Sequence, residues 1–222
     1  MCGRFSLYET VDSLQVEFGF DFDGELEPRY NIAPGQNILA VLGGDARRRG
    51  MMLRWGLIPF WATDENIGYR LINARAETLD EKASFKKPLK SSRCLIPADG
   101  FYEWKKEESS KRPFRFAMKN EKPFAFAGLW ETWNKNGNTI HSCTIITTTA
   151  NDVTRKVHER MPVILPAEEQ EIWLDHSIQD ADYLKSLLKP YDAEEMKCFE
   201  VSPRINSARN EGRELILPLN SL

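Results

Sequence analysis

Hydrophobic and polar positions through the middle of the chain follow patterns that predict β-strands. Residues 37–61, NILAVLGGDARRRGMMLRWGLIPFW, hold two apolar runs separated by a glycine-rich basic turn, which is typical of a β-hairpin. Residues 114–130, FRFAMKNEKPFAFAGLW, repeat this pattern around a KNEK turn. The alternation in FRFAM and FAFAG predicts that one face of each of these two strands is buried.

Two further segments predict strands, and five predict helices. CLIPADGFYEWKK and HSCTIITTTA favour strands, the second because it is rich in β-branched residues. The predicted helices are YETVDSLQVEFG, SFKKPL, NDVTRKVH, PAEEQEIWLD and DADYLKSLLKPY. The NDVTRKVH segment begins with a good cap, and PAEEQEIWLD begins with a proline followed by acidic residues, as the helix dipole favours. We therefore expect an α+β fold, with a curved, mainly antiparallel sheet or barrel-like core and flanking helices.

The composition is that of an ordinary globular chain. Its 222 residues are 41% hydrophobic, 11% aromatic and 28% charged, which excludes the disordered and fibrous classes. The length suits one large domain or two small ones, and the chain has no repeat or long linker. We predict a single domain over residues 1–222, and we expect a monomer.

The start of the chain does not look like a targeting segment. Glu9, Asp12 and Glu17 stand where a signal peptide would be apolar, and no apolar run approaches the roughly 18 residues of a membrane span. Residue 2 is not glycine, so myristoylation is not expected. The interpretation is a cytoplasmic protein with no membrane partner.

Charge is distributed unevenly along the chain. Residues 166–200, predicted to be an acidic helical segment, carry three lysines against ten acidic residues, a net charge of −7. This leaves +4 for the rest of a chain whose total is −3. The basic remainder is suited to a polyanion, although a mixed solvated surface explains the charge equally well.

The four cysteines, Cys2, Cys94, Cys143 and Cys198, lack CxxC spacing, which argues against a disulfide framework or a zinc knuckle. The last three are expected in strands as small apolar residues. His141 and Cys143 would need further ligands to hold a metal, so we predict no metal and no cofactor.

Cys2 follows the initiator methionine, and its position suggests a specific chemistry. If Met1 is removed, Cys2 presents a free α-amine beside its thiol, a 1,2-aminothiol. About a tenth or more of such an amine is neutral at pH 7, against about 0.04% of a lysine amine. An aldehyde can form an imine with this amine, and the thiol can then close a thiazolidine ring. The alternative is that Cys2 lies at a frayed terminus without a function.

Three other stretches contain candidate chemistry. INARAET puts Asn73 and Arg75 on one side of an extended segment, DGFYEWKK puts Glu103 between aromatic residues, and VHERMPVIL brings His158 and Arg160 together. Each has a structural alternative: Asn73 capping the following turn, Glu103 facing solvent on a hairpin, and His158 ending a helix.

Several blocks together resemble the SRAP family. The matching blocks are MCGRF, RYNIAPGQ, RWGLIPFW, LINARAET, RCLIPADGFYEWKK, VHERMPVIL and the ELILPL tail, and they run from Met1 to Leu219. The resemblance implies a sensor of abasic sites in single-stranded DNA that links itself to the lesion through a thiazolidine at Cys2. It also implies removal of Met1, a possible abasic-site lyase activity, a role in the DNA damage (SOS) response, and association with the nucleoid when bound to DNA.

The resemblance also implies roles for the candidate residues. Cys2 is the nucleophile, Asn73 orients its amine, Glu103 is the general acid/base for imine formation, and His158 helps to open the sugar to its aldehyde. A histidine with an ordinary pKa near 6.5 is suited to that proton transfer at neutral pH.

DNA contacts are expected around these residues. Arg4, Arg75 and Arg160 lie close in sequence to the catalytic candidates and are expected to contact phosphates. Trp61 and Trp104 are expected to stack on flanking bases in a shallow groove. Trp55, by contrast, is expected in the core. An abasic nucleotide has no base to recognise, so binding should depend on salt and only weakly on sequence.

Two other functions fit part of these observations. A cysteine peptidase or amidohydrolase would use Cys2 as nucleophile, His158 as base, and Asn73 or Glu103 as the orienting residue. Because only Met1 precedes Cys2, a dedicated protease with a pro-segment is not favoured. A non-covalent single-stranded DNA-binding module would need the basic and aromatic residues but not the thiol. Replacement of Cys2 distinguishes the three.

Overall fold

The computed structural model describes residues 2–44, 47–108 and 110–221, and within them the chain forms thirteen strands and four α-helices. The strands are β1 (Phe5–Leu7), β2 (Phe20–Asp21), β3 (Arg29–Ile32), β4 (Asn37–Leu42), β5 (Arg48–Trp55), β6 (Asn73–Arg75), β7 (Arg93–Ala98), β8 (Gly100–Lys106), β9 (Lys111–Met118), β10 (Phe124–Lys135), β11 (Asn138–Thr149), β12 (Arg160–Pro162) and β13 (Met196–Glu200). The helices are α1 (Val11–Phe18), α2 (Ala83–Ser91), α3 (Ala167–Leu174) and α4 (Ala181–Ser186). Short 3₁₀ turns are Glu65–Arg70, Ala76–Thr78, Thr154–Lys156, Ala193–Glu195, Pro203–Asn206, Arg213–Ile216 and Leu219–Ser221.

Five strands close into a barrel. The pairs β5–β4, β4–β7, β7–β10 and β10–β11 are antiparallel, and a parallel pairing of β11 with β5 completes the ring. β12 and β6 add to β11, antiparallel and parallel respectively, and β2 adds to β5. The expected α+β fold with a mainly antiparallel, barrel-like core is confirmed, as is the hairpin of β4 and β5.

A second, antiparallel sheet of five strands, in the order β13-β9-β8-β1-β3, packs against the barrel. Phe5 on β1 and Phe101 on β8 place their rings 5.8 Å and 6.1 Å from that of Phe126 on β10. Aromatic rings from both sheets therefore meet in the interior, and side chains of this size bury much apolar surface.

The expected hairpin at residues 114–130 is wrong. β9 pairs with β8 and β13, whereas β10 pairs with β7 and β11, so the KNEK segment connects two different sheets. The expectation of one buried face is also wrong, since Phe124–Leu129 are all buried. Both faces of this part of β10 are covered. The alternation of phenylalanine and alanine therefore distinguishes a face with room for large side chains from a face with room only for small ones.

Two helix predictions need correction. Only a 3₁₀ turn, Thr154–Lys156, forms in residues 151–158. Because β12 pairs Arg160 with Thr149, the chain must reverse direction within the residues between them, which leaves no room for a longer helix. The acidic segment 166–200 does contain α3 and α4, but it ends in β13, which extends the second sheet.

A buried ion pair stands where β7 of the barrel passes into β8 of the second sheet. The side chains of Asp99 and Arg115 are 1% and 3% exposed, and Arg115 Nη2 lies 3.3 Å from Asp99 Oδ1. Asp99 also accepts from the Ser6 hydroxyl, at 2.6 Å, and from the Tyr8 backbone N–H. A side chain at Gly100 would bring its Cβ within 2.6 Å of the guanidinium, so only glycine fits there. Burial raises the pKa of Asp99 to about 6, which leaves it ionised at pH 7.5.

We expect Asp99→Asn to lower the free energy of unfolding at pH 7.5 by roughly 3 kcal/mol, because the buried Arg115 charge loses its counter-charge. Urea denaturation measures this loss. The matched control is Arg112→Met, which removes ion pairs to Glu107 and Glu200 from an arginine side chain that is 42% exposed, with an expected loss of about 1 kcal/mol or less. Equal losses in the two variants would contradict a stabilising role of the buried pair.

No helix in the described part of the chain has both the length and the apolar character needed to cross a membrane.

Candidate active site around Cys2

Cys2 lies in the core, three residues before the first residue of β1. Its side chain is fully buried, and Sγ lies 3.9 Å from the Arg4 carbonyl oxygen. That same carbonyl accepts from the Tyr102 N–H at 3.0 Å, which extends the pairing of β1 with β8 by one residue. The residues before Arg4 therefore run alongside the part of β8 that carries Glu103. Because the thiol is fully buried, the alternative that Cys2 lies at a frayed terminus is wrong.

Glu103 is buried close to the thiol. Side chains alternate along β8, so Glu103 points to the same face as Phe101, and it is only 4% exposed. Burial raises the pKa of the Cys2 thiol well above its usual range, and the nearby Glu103 carboxylate raises it further. The alternative that Glu103 faces solvent on a hairpin is wrong.

His158 follows the 3₁₀ turn Thr154–Lys156, and its N–H donates to the Thr154 carbonyl at 2.9 Å. The imidazole Nδ1 accepts from the Arg160 backbone N–H at 3.0 Å. Nδ1 also lies 3.2 Å from the Arg160 carbonyl oxygen, so both main-chain groups of Arg160 contact this edge of the ring. His158 therefore does stand at the end of the turn, but its ring is oriented by β12.

A cleft of about 390 Å³ joins Glu103 and His158. It is lined by Glu103, Trp104, Lys106, Lys111, His158 and Asn206. Sequence reasoning singled out three of these residues and missed Lys106, Lys111 and Asn206. Lys106 belongs to the quoted DGFYEWKK block, and a correct hairpin register would have added Lys111 opposite it. Asn206 comes from the C-terminal segment, and no pattern in the sequence connects it with the cleft.

Asn73 opens β6, which runs parallel to β11 with Asn73 opposite Ile145. Its Nδ2 donates to the Ile72 carbonyl at 3.0 Å and, at 3.5 Å, to that of Ile145. Its Oδ1 is buried and accepts no hydrogen bond from the described residues. The turn that follows β6 has no side-chain cap, so the capping alternative for Asn73 is wrong. A buried amide oxygen without a donor costs about 1–3 kcal/mol, which makes it a ready acceptor for a ligand or an amine.

Arg160 holds the strands around His158 together. Its guanidinium binds the Glu77 carboxylate through two bonds of 2.6 Å and 2.9 Å, and Nη2 also donates to the Thr147 carbonyl at 2.7 Å. The hydrogen bond from Arg160 lowers the pKa of Glu77. β12 is thereby tied to β11 and to the turn after β6. Contact of Arg160 with a phosphate stays a prediction.

The other two arginines differ in their surroundings. Arg4 is half-buried, and its Nη1 donates to Asn31 Oδ1 at 2.6 Å and to the Ile205 carbonyl at 2.7 Å. Its guanidinium also lies over the Trp104 ring, 5.8 Å from the centroid. Arg75, at the end of β6, is exposed. Phosphate contacts of Arg4 and Arg75 likewise stay predictions.

The tryptophans differ in burial as the sequence suggested. Trp55 is fully buried and Trp61 is 47% exposed. Trp104 is half-buried and donates its indole N–H to Asn206 Oδ1 at 2.7 Å. Trp104 lines the cleft of Glu103 and His158, whereas Trp61 lines a different one. Stacking of both on bases stays a prediction.

The three remaining cysteines lie in β7, β11 and β13 as expected. His141 Nδ1 is hydrogen-bonded to the Thr132 hydroxyl at 3.0 Å, and the thiol of Cys143 is buried. Throughout residues 2–44, 47–108 and 110–221, no three histidine, cysteine or acidic side chains are grouped so as to hold a metal ion.

Comparisons with known proteins agree over nearly the whole chain. The family model described as SOS response associated peptidase (SRAP) matches residues 1–208. The chain is 52% identical over 221 residues to abasic site processing protein YoqW of Bacillus subtilis, covering 97% of this chain and 99% of that protein. It is 29% identical over 228 residues to abasic site processing protein YedK of Escherichia coli, covering 99% of this chain and all of that protein.

Among animal proteins, it is 31% identical over 230 residues to chicken abasic site processing protein HMCES, covering 89% of this chain and 68% of that protein. A crystal structure of a protein from Bacteroides thetaiotaomicron superposes with a TM-score of 0.89 at 29% identity, covering 98% of this chain and 99% of the other.

Proposed function

Since the chain belongs to the SOS response associated peptidase (SRAP) family, we propose that it processes abasic sites in DNA, the activity in the names of its relatives. More specifically, it senses an abasic site in single-stranded DNA and captures it as a thiazolidine at Cys2 after Met1 is removed. The crosslink protects the lesion during the DNA damage response. The observation that carries the proposal is the buried Glu103 carboxylate beside the Cys2 thiol, at a cleft that also holds His158.

The first step is opening of the sugar. An abasic deoxyribose is mostly a closed hemiacetal, and its aldehyde appears only when a proton moves between the ring oxygen and the anomeric hydroxyl. His158, whose ring is oriented by Arg160 and lines the cleft, makes this transfer. General acid–base groups of this kind contribute about 100- to 10,000-fold to a rate.

The second step joins the amine to the aldehyde. The Cys2 nitrogen adds to the carbonyl carbon, and loss of one water gives the imine. Glu103 accepts the proton of the attacking amine and returns it to the departing hydroxyl. Asn73 Oδ1, buried and without a donor among the described residues, accepts from the amine and orients it.

The third step closes the ring. The S–H of Cys2 adds across the C=N bond, so that sulfur bonds to the carbon and the proton ends on nitrogen. The thiol starts from a raised pKa, and a proton on the imine nitrogen, two carbons from the sulfur, lowers it. A cysteine peptidase needs its thiolate before substrate arrives, whereas in this sequence of steps the amine attacks first and the thiol reacts only at the end.

Incubation with a uracil-glycosylase-treated single-stranded oligonucleotide tests the proposal. A protein–DNA adduct that survives denaturing electrophoresis is expected with the treated strand and is absent with the untreated one. Intact-mass analysis of the protein should show loss of Met1. The proposal fails if no adduct forms, or if molecules whose N-terminus is blocked capture the lesion equally well.

Strand cleavage is expected when the ring cannot close. An imine at an abasic site promotes β-elimination of the 3′ phosphate, and Cys2→Ser keeps the amine but lacks the thiol that traps the imine. We expect Cys2→Ser to give more cleaved strand than the wild type, together with an adduct that borohydride reduces and fixes. If neither protein gives a cleaved strand or a borohydride-fixed adduct, the lyase activity is wrong.

A further inference from the structure

The cleft is also lined by two lysines that have no role in the proposed chemistry. Lys106 and Lys111 face each other across the β8–β9 pair, and both line the cleft. Like charges directly opposite each other in an antiparallel pair are destabilising. Their side chains are exposed, and neither forms an ion pair within the described part of the chain.

Two neighbouring acids, Glu107 and Glu200, bind Arg112 and not this lysine pair. Arg112 Nε lies 2.8 Å from Glu107, and its Nη1 lies 3.1 Å from Glu200. Two positive charges are thus concentrated at the mouth of the cleft, where an anion would relieve their repulsion.

Asn206 adds an oriented donor to the same wall. An indole N–H can only donate, so its 2.7 Å bond from Trp104 identifies the Asn206 atom as Oδ1. The Nδ2 group is the other end of that amide, and it makes no hydrogen bond to the described residues. Asn206 lines the cleft, so this amide offers N–H donors there beside the two lysines.

We propose that Lys106, Lys111 and Asn206 form a subsite for one phosphodiester of the DNA strand next to the lesion. This proposal rests on the function proposed above and deepens it. The strand then passes over the hairpin of β8 and β9, while the abasic sugar lies against the Glu103 and His158 wall. Lysine ammonium groups and a side-chain amide are ordinary phosphate ligands.

Binding of an intact single-stranded oligonucleotide, titrated at several salt concentrations, tests the subsite. The double variant Lys106→Gln/Lys111→Gln should bind roughly three- to tenfold more weakly at 0.1 M salt, and the slope of log K against log salt should fall by about 0.7, the value for one phosphate on a single strand. The matched control is Lys105→Gln, an exposed lysine of the same strand that is absent from the cleft lining and on the face of β8 opposite to Lys106. It should bind like the wild type.

Asn206→Asp separates a ligand role from a structural one. Aspartate keeps an oxygen that accepts the Trp104 N–H but replaces the amide donor with an anion, so it should weaken binding at least as much as the double lysine variant. A structural role alone would leave binding equal to that of Lys105→Gln, which changes the net charge by the same amount.

The outcomes for the two proposals are distinct. If the wild type captures abasic DNA, and the double variant or Asn206→Asp binds no more weakly than Lys105→Gln, the subsite is wrong and the proposed function stands. The subsite is also wrong if Lys105→Gln weakens binding as much as the double variant. If the wild type neither binds nor captures DNA, the proposed function itself fails.

Discussion

Cys2→Ala should reduce the denaturation-resistant DNA adduct by at least about 100-fold, because the ring cannot close without sulfur. Alanine is small enough to permit removal of Met1, so the variant still presents a terminal amine. An imine should therefore form and should be fixed by borohydride. Denaturing electrophoresis with and without the reductant separates the contribution of the thiol from that of the amine.

Binding of Cys2→Ala to intact single-stranded DNA should equal that of the wild type, since the thiol is fully buried and the substitution changes no charge on the surface. The three candidate functions then separate. A non-covalent binding module would lose nothing on this substitution, and a peptidase would lose turnover of peptides. A variant that kept the full yield of stable adduct without borohydride would refute the thiazolidine. Cys198→Ala is the control for removal of a thiol elsewhere, as Cys198 lies on β13.

Glu103→Gln should slow adduct formation by about 100- to 10,000-fold, because glutamine can neither take nor return the proton that imine formation moves. Single-turnover capture of abasic DNA, followed by quenching at timed intervals, measures the rate. Binding to intact DNA should be unchanged. Intact-mass analysis must show that Met1 has been removed from the variant, so that slower capture reflects the chemistry at the lesion.

A second measurement tests the closeness of Glu103 to the thiol. The Glu103 carboxylate raises the pKa of Cys2, so the neutral glutamine should lower that pKa, while burial, the larger cause, keeps it above its usual range. Alkylation of Cys2 at one alkaline pH, followed by mass mapping of its peptide, should be faster in the variant than in the wild type. The matched control is Glu108→Gln, an exposed residue beyond the end of β8. A capture rate within about threefold of the wild type would exclude Glu103 as the general acid/base.

The candidate site illustrates which predictions a sequence supports. Cys2, Glu103 and His158 were chosen from short blocks, and the structure brings Glu103 next to the thiol and His158 into the same cleft. The blocks specify residue types but not distances. Arg4 and Arg160 were expected at phosphates, and their bonds to Ile205, Asn31 and Glu77 could not be inferred, because those partners are distant in the chain.

The sequence by itself determined the fold class, most of the strands, the burial of Trp55 and the family, because hydrophobic periodicity, turn residues and ordered motifs are local properties. Only the tertiary structure decided that β9 and β10 belong to different sheets, since strand partners are chosen by packing across the whole molecule. The tertiary structure also decided which charged residues are buried. Arg93 donates to the Trp173 and Leu89 carbonyls at 2.5 Å and 2.6 Å. Arg115 pairs with Asp99. A charged residue enters a core only where distant partners offset its loss of hydration, and such partners are determined in three dimensions.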